Sequence, residues 1–486
     1  MELSYHFSRD QGVLLQRDAD GNAQIWYRET LNLDAVQEIM RAVGSVPTLR
    51  RVSAAQFDQN LTQRFQGAGN AADAAISELH ADSDLAALAA DLEQPEDLLV
   101  AQDDAPIIRL LNALLSQAVR ENASDIHIEP FEQRLSVRFR VDGVLRDVLT
   151  PPPAIAPLLV SRVKVMAHLD IAEKRLPQDG RIAIRIGDRP IDLRVSTLPS
   201  GYGERVVLRL LDKRQGRLDL SVLGMADAQR ASIDALIRRP HGLVLVTGPT
   251  GSGKTTTLYA ALSRINDQTR NILTVEDPVE YFIDGIGQTQ INTKVDMSFA
   301  RGLRAILRQD PDVVMVGEMR DAETARIGVQ ASLTGHLVFS TLHTNTAAGA
   351  ITRLRDMGIE PFLLASSLSG VLAQRLVRRL CTHCKRRDRP TQEEQSYLTS
   401  ANQPQPYLYR AVGCAQCNGT GYAGRTGLYE LLHVDDSLRQ LIHDDHAESA
   451  LRDHQQHCGE SLLRDGLGKI LAGETSLDEV IRVTTA

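Results

Sequence analysis

Aromatic side chains are scarce, at 4% of 486 residues with a single Trp, which leaves little material for platforms that stack nucleic-acid bases. Positive charge is not in excess either. The formal net charge of −8 excludes a protein that coats nucleic acid. No run of eighteen apolar residues occurs, and the opening "MELSYHFSRDQGVLLQ" lacks a basic stretch ahead of an apolar one. The expected location is therefore the cytoplasm, with any membrane association arriving through partners. Cysteine is limited to five residues, too few for a disulfide scaffold in a chain of this length.

What is present is an ordinary globular composition, 43% hydrophobic and 24% charged, long enough for about two to four domains with their own cores. Residues 1–70 read as a small amino-terminal domain containing one helix, "LDAVQEIMRAVG". From Ala71 to Asp104 there are ten acidic residues and no Lys or Arg, the pattern of a solvated linker. Residues 105–211 begin with a helix, "APIIRLLNALLSQAVREN", and continue as alternating segments. In "LSVRFRVDGVL", Leu135, Val137, Phe139 and Val141 share one face, Arg138 and Arg140 the other, and Asp142-Gly143 signals a hairpin. This predicts an α+β domain with a largely antiparallel sheet. A polar link, 212–221, leads to 222–375, where buried strands alternate with helices as in a parallel α/β sheet. Residues 376–430 hold the cysteine pairs, and 431–486 are helical in pattern.

The strongest motif follows the apolar run Leu243–Val246. Gly248, Pro249, Thr250, Gly251, Ser252, Gly253, Lys254 and Thr255 form G-x-x-x-x-G-K-T ahead of a helix, and with Thr256 they are the candidate nucleotide-binding residues. Glycines permit a tight loop whose backbone N–H groups surround phosphate oxygens, and the helix N-terminus adds a favourable dipole. Lys254 is placed to reach β- and γ-phosphates, and the Thr255 hydroxyl to bind Mg²⁺. In "NILTVEDPVEY", Glu276 and Asp277 end a second apolar strand, at the sheet edge where ligands bind. They are candidates for positioning metal and water.

The segment "PDVVMVGEMRD" raises a difficulty. Four apolar residues, Val313–Val316, suit a central strand, yet the place where such strands often carry a Mg²⁺-binding aspartate is Gly317, followed by Glu318. Upstream, "RGLRAILRQDPD" reads as a helix stopped by Pro311, with Arg301, Arg304 and Arg308 on one face. That stripe is either solvated or a phosphate or intersubunit contact. "TGHLVFSTLHTN" brackets another strand with His336 and His343; the latter, at the C-terminal end, is placed to sense a γ-phosphate. Cys381, Cys384, Cys414 and Cys417 give two C-x-x-C pairs separated by 29 residues, the donor set of a structural Cys₄ zinc site, with a redox dithiol as the competing reading. Cys458 stands apart and reads as a buried thiol.

Together these residues resemble one family over nearly the whole chain: the type II and type IV secretion ATPases, nearest to those of type II secretion. The resemblance rests on "GPTGSGKT", "TVEDPVEY", "VVMVGEMRD", "TGHLVFSTLHTN", "ASDIHIEP", "RLPQDGRI" and the tetracysteine element. It implies a RecA-like P-loop ATPase core preceded by an α+β domain, with a zinc-binding insert and a helical C-terminus. It implies a hexameric translocase whose ATP hydrolysis drives pseudopilus assembly and export of folded proteins across the outer membrane. A type IV pilus assembly ATPase is the alternative, and a nucleic-acid motor a more distant one. The family manages Mg²⁺ without the missing aspartate, leaving Glu318 to orient and deprotonate the attacking water. By matching motif, Arg194, Arg209, Arg304 and Arg308 close on the γ-phosphate. Implied partners are the cytoplasmic domain of inner-membrane secretion protein L, docked by residues 1–70, the inner-membrane platform protein and acidic phospholipid; no nucleic acid is expected.

Overall fold

The computed structural model describes residues 11–17, 23–28, 35–36, 39–40, 47–53, 56–57, 60, 106–186, 189–212, 219–267, 269–400, 407–458 and 461–484. The acidic tract 71–104, most of the 212–221 link and the side chain of Cys458 lie outside them. The chain divides into two compact units, Met1–Leu211 and Asp212–Ala486.

In the first unit, β1 (Val13–Arg17), β2 (Ala23–Arg28) and β3 (Thr48–Val52) form a three-stranded sheet, antiparallel between β1 and β2 and parallel between β2 and β3. A second sheet follows helix α1 (Pro106–Arg120). It contains β4 (Ala123–Pro130), β5 (Leu135–Val141), β6 (Val144–Leu149) and, after helix α2 (Ala156–Met166), β7 (Gln178–Ile186), β8 (Arg189–Ser200) and β9 (Gly203–Asp212). Its order is β6-β5-β4-β9-β8-β7, and the pairings β4–β5, β4–β9, β5–β6 and β7–β8 are antiparallel. Alternation decides the faces. Ile126, Ile128, Leu135, Val137 and Phe139 are buried in a core with Leu111, Leu114, Leu159 and Val163 from the two helices. Each such aliphatic side chain stabilises the fold by about 1.5–3 kcal/mol relative to exposure. The opposite face of β4 carries Asp125, His127 and Glu129, met by arginines of β5 and β9.

The second unit is built on a seven-stranded sheet. Its elements are α3 (Asp227–Ile237), β10 (Gly242–Thr247), α4 (Lys254–Ile265), β11 (Ile272–Glu276), β12 (Gly287–Gln290), α5 (Phe299–Ile306), β13 (Val313–Val316), α6 (Ala322–Leu333), β14 (Leu337–Leu342), α7 (Ala347–Asp356) and β15 (Leu368–Leu380), then the short β16 (Arg386–Asp388) and β17 (Leu408–Arg410), and β18 (Tyr422–His433). Helices α8 (Asp436–His443), α9 (Glu448–Cys458), α10 (Leu462–Leu471) and α11 (Leu477–Thr484) complete the chain. Strand order is β12-β11-β13-β14-β10-β15-β18, parallel throughout except the β15–β18 pair.

β10, β13 and β14 are buried along their whole length. β10 and β13 read as apolar runs for that reason, whereas β14 buries Ser340 and Thr341 by donating their hydroxyls to Val316 O and Gly317 O. Successive side chains still part to opposite faces. Leu243 and Leu245 enter a core with Val329, Ile351 and Leu438, whereas Val244 and Val246 pack with Leu236, Leu258 and Tyr259. Helices thus cover both faces, the α/β arrangement expected of a RecA-like core. β15 runs unbroken from Leu368 to Leu380, and β18 returns antiparallel beside it, so the cysteine segment hangs from two strands of the central sheet. Among the described residues, no helix is long and apolar enough to cross a membrane.

Candidate active site and metal centre

The phosphate loop leaves the C-terminal end of β10 and turns into α4. Gly248, Gly251 and Gly253 have φ of 151°, 80° and 85°, a region that strains any residue with a Cβ. Space is also short. A Cβ on Gly248 would lie 2.5 Å from Gln374 O, and one on Gly253 2.8 Å from Gln374 Nε2. Lys254 Nζ donates to Gly248 O at 2.8 Å and Pro249 O at 3.1 Å, so the ammonium lies inside the loop. Burial pulls its pKa below the usual lysine value, Glu318 opposes this, and Arg375 adds to it. Ser252 Oγ is buried with no hydrogen-bond partner, an orphaned donor that suits a phosphate oxygen. Thr255 is exposed on the first turn of α4, with Thr256 half-buried beside it; Pro249 and Thr250 are exposed on the loop. One hydroxyl completed by phosphate oxygens and water suits Mg²⁺, which keeps several waters.

Glu318 stands one residue past Gly317, beyond the end of β13. The segment is pinned from both sides: Gly317 N donates to Val275 O at 2.8 Å, Met319 N to Thr341 O at 3.0 Å, and Thr341 Oγ1 to Gly317 O at 2.7 Å. One carboxylate oxygen pairs with Arg320, and the other lies 3.4 Å from His343 Nε2. Arg320 also feels Asp277, which is exposed after β11. The structure therefore gathers Lys254, Glu318, His343 and the end of β11 at one sheet edge. His336 lies at the other end of β14, its Nδ1 within 3.0 Å of Ala331 O.

Two sequence-based placements change. Glu276 was expected beside metal and water. Instead its carboxylate is 3% exposed and accepts from Tyr259 Oη, from Thr274 Oγ1 at 2.5 Å and from Gln288 Nε2 at 3.2 Å. Strand alternation turns Thr274 and Glu276 to the same buried side, and burial raises the Glu276 pKa despite these donors. Arg308 was expected on a helix face with Arg304, but α5 ends at Ile306 and Arg308 lies in the following turn. Both guanidinium groups are exposed, and Arg304 donates to Glu323 at 2.5 Å. Arg194 on β8 and Arg209 on β9 belong to the first unit, where Arg209 Nε donates to Asp125 Oδ1 at 2.9 Å. Sequence reading missed Arg320, whose signal was its place two residues after Glu318. It also missed Gln374 and Arg375, which reach the loop only through the β10–β15 pairing.

The four cysteines converge. Cys381 and Cys414 Sγ are 3.9 Å apart, Cys384 and Cys417 3.8 Å, and Cys414 and Cys417 3.7 Å. A tetrahedron with metal–sulfur bonds near 2.3 Å has edges of about 3.8 Å, so the set fits zinc and is too open for a disulfide. Backbone N–H groups of Gly413, Cys414 and Gly421 donate to these sulfurs at 3.1–3.3 Å, as thiolates require. All four positions are filled by protein, the mark of a structural site.

The fold and its edge define a P-loop nucleotide hydrolase. The family model for type II/IV secretion system protein matches residues 100–482, and that for the amino-terminal domain of GSPII protein E matches residues 2–65. The chain belongs to the type II/IV secretion system protein family. It is 58% identical to the type II secretion system ATPase E of Vibrio cholerae over 99% of this chain and 96% of that protein. Identity to the type II secretion system protein E of Pseudomonas aeruginosa is also 58%, with the same coverage. Among solved structures, the pilus retraction motor PilT with bound ADP aligns with a TM-score of 0.53 and 25% identity, over 77% of this chain and 96% of that one. The Legionella pneumophila ATPase DotB shares the fold, with a TM-score of 0.58 and 22% identity over 77% and 95%.

Proposed function

We propose that this chain is the ATPase of a type II secretion system, converting ATP hydrolysis into assembly of a pseudopilus and export of folded proteins. The observation that carries the reading is the carboxylate of Glu318 held between Arg320 and His343 at the sheet edge from which the phosphate loop leaves β10. In this reading the loop amides and Lys254 hold the β- and γ-phosphates. Mg²⁺, held by Thr255 and phosphate oxygens, would neutralise charge on the leaving group. Glu318 orients the attacking water and takes its proton, while His343 faces the same point. Glu276 supports the strand end rather than the reacting atoms.

Arg194 and Arg209 from 105–211, with Arg304 and Arg308, are assigned to contacts that form when ATP closes the subunits on one another, where fixed guanidinium donors meet developing phosphoryl charge. The working assembly is a homohexamer on the cytoplasmic face of the inner membrane. It is docked through residues 1–70 to the cytoplasmic domain of protein L and works against the platform protein, with acidic phospholipid as an activator. Zinc occupies the Cys₄ site. The test is ATPase activity of the full chain alone and with the protein L cytoplasmic domain, with assembly mass measured in parallel. Turnover stimulated by the partner in a hexamer supports the reading; DNA-stimulated turnover without response to the partner defeats it.

A further inference from the structure

Arg375 is only 6% exposed, yet a buried guanidinium is costly unless it is paired. Its hydrogen-bond partners are Gln374, its own neighbour on β15, and Asn345 in a turn of the active site, and it packs beside the first glycine of the phosphate loop. β10 and β15 run parallel with Thr247 opposite Ala373, so Gln374 and Arg375 emerge beside the start of the phosphate loop. A Cβ on Gly248 would come within 3.2 Å of Arg375 Nη1. That nitrogen donates to Gln374 O at 3.3 Å, and Nη2 donates to Asn345 O and Asn345 Oδ1, both at 3.0 Å. Asn345 lies two residues past His343, in the turn joining β14 to α7.

The same turn is tied again from β10: Thr344 N donates to Thr247 Oγ1 at 3.0 Å, and the two hydroxyls are 2.7 Å apart. Glu430 of β18 closes the far side. It accepts from Ala347 N at 3.0 Å and Leu462 N at 3.3 Å, at the starts of α7 and α10, and its charge offsets that of Arg375. One buried cation thus packs against the glycine that opens the phosphate loop and donates to the turn that carries His343.

We propose that Arg375, with Asn345 as its acceptor, is a positioning residue for hydrolysis, holding the His343 turn at a fixed distance from the phosphate loop. It acts through the two loops and makes no contact with the nucleotide. With the clamp intact, His343 and Glu318 meet the attacking water in register with the phosphate on Lys254. This role rests on the ATPase reading above.

The test uses the full chain: steady-state ATPase kinetics and nucleotide binding for wild type, Asn345→Leu, Asn345→Asp, Arg375→Met and the double variant Asn345→Leu/Arg375→Met, each checked for one bound metal per chain. Asn345→Leu keeps the volume and removes the side-chain acceptor. It is expected to lower kcat about 10–100-fold, as misplacement remote from the chemistry does, with KM for ATP within about threefold. Asn345→Asp still accepts from Arg375 and is expected to recover to within about threefold of wild type. The double variant is expected to be no slower than the slower single variant, because both changes break one link. Wild-type kcat in Asn345→Leu, a loss carried wholly by KM, an Asp variant as slow as the Leu variant, or additive losses would overturn the clamp. A wild-type chain without turnover overturns the ATPase reading itself, a separate outcome.

Discussion

His343 Nε2 lies 3.4 Å from Glu318 Oε2, across the gap between the ends of β14 and β13. The pair joins two segments 25 positions apart at the sheet edge from which the phosphate loop leaves β10. Changing Glu318 to Gln keeps the shape and removes the base. ATP binding should persist while hydrolysis falls by at least ~100-fold, read by nucleotide titration beside phosphate release.

Gly253 tests the loop from its backbone. Its φ of 85° and the 2.8 Å approach to Gln374 Nε2 leave no place for a methyl group. Gly253→Ala should therefore distort the loop at a cost of about 1–2 kcal/mol and weaken ATP binding at least ~5-fold. Wild-type affinity in calorimetry would contradict the geometry.

Removal of metal should act on the tail of the fold. The Cys₄ cluster joins the β15 end to the Cys414–Cys417 turn through its sulfurs. Elemental analysis should find one equivalent of zinc in the untreated chain, and Cys417→Ser or a strong chelator should abolish it and lower the unfolding midpoint. An oxidised pair in place of metal, detected as protected thiols in the untreated protein, would favour the redox reading instead.

Glu479 provides a pH test remote from the chemistry. Its carboxylate is 2% exposed; burial alone would raise its pKa, but Arg482 and Arg378 overcome this and hold it down to about 2. A depressed carboxylate contributes stability above its unfolded value, near 4.5, and loses it as pH falls toward 2. Glu479→Gln should therefore destabilise the protein by up to roughly 3 kcal/mol at pH 7 and by less at pH 4, measured by urea unfolding. A penalty that does not shrink on acidification would contradict the sign.

Much of this was legible in the sequence because local rules suffice for it. The phosphate loop is contiguous, β13 announces burial by an unbroken apolar run, and the cysteine pairs carry their chemistry in their spacing. What was hidden depends on long-range pairing or on facing. Glu276 looks like a ligand at a strand end until alternation turns it toward Tyr259, and an aromatic hydroxyl seventeen residues upstream carries no such signal. Arg375 lies over a hundred residues from Gly248, and only the β10–β15 register brings them together. Arg308 was misplaced because a short helix ended one turn before the proline that seemed to stop it.

β15 has one further consequence. Gln374 lies against the phosphate loop, and Cys381 of the four-cysteine cluster follows seven residues on, with strand for nearly all of the distance. An extended segment of that length reaches about 20 Å, and its ladder with β18 shifts register between Arg378 and Leu380, just before the cysteine. Motion of the loop is carried along β15 to that irregularity, next to the four-cysteine cluster. A spectroscopic label beside Cys381 would report the nucleotide state at a distance.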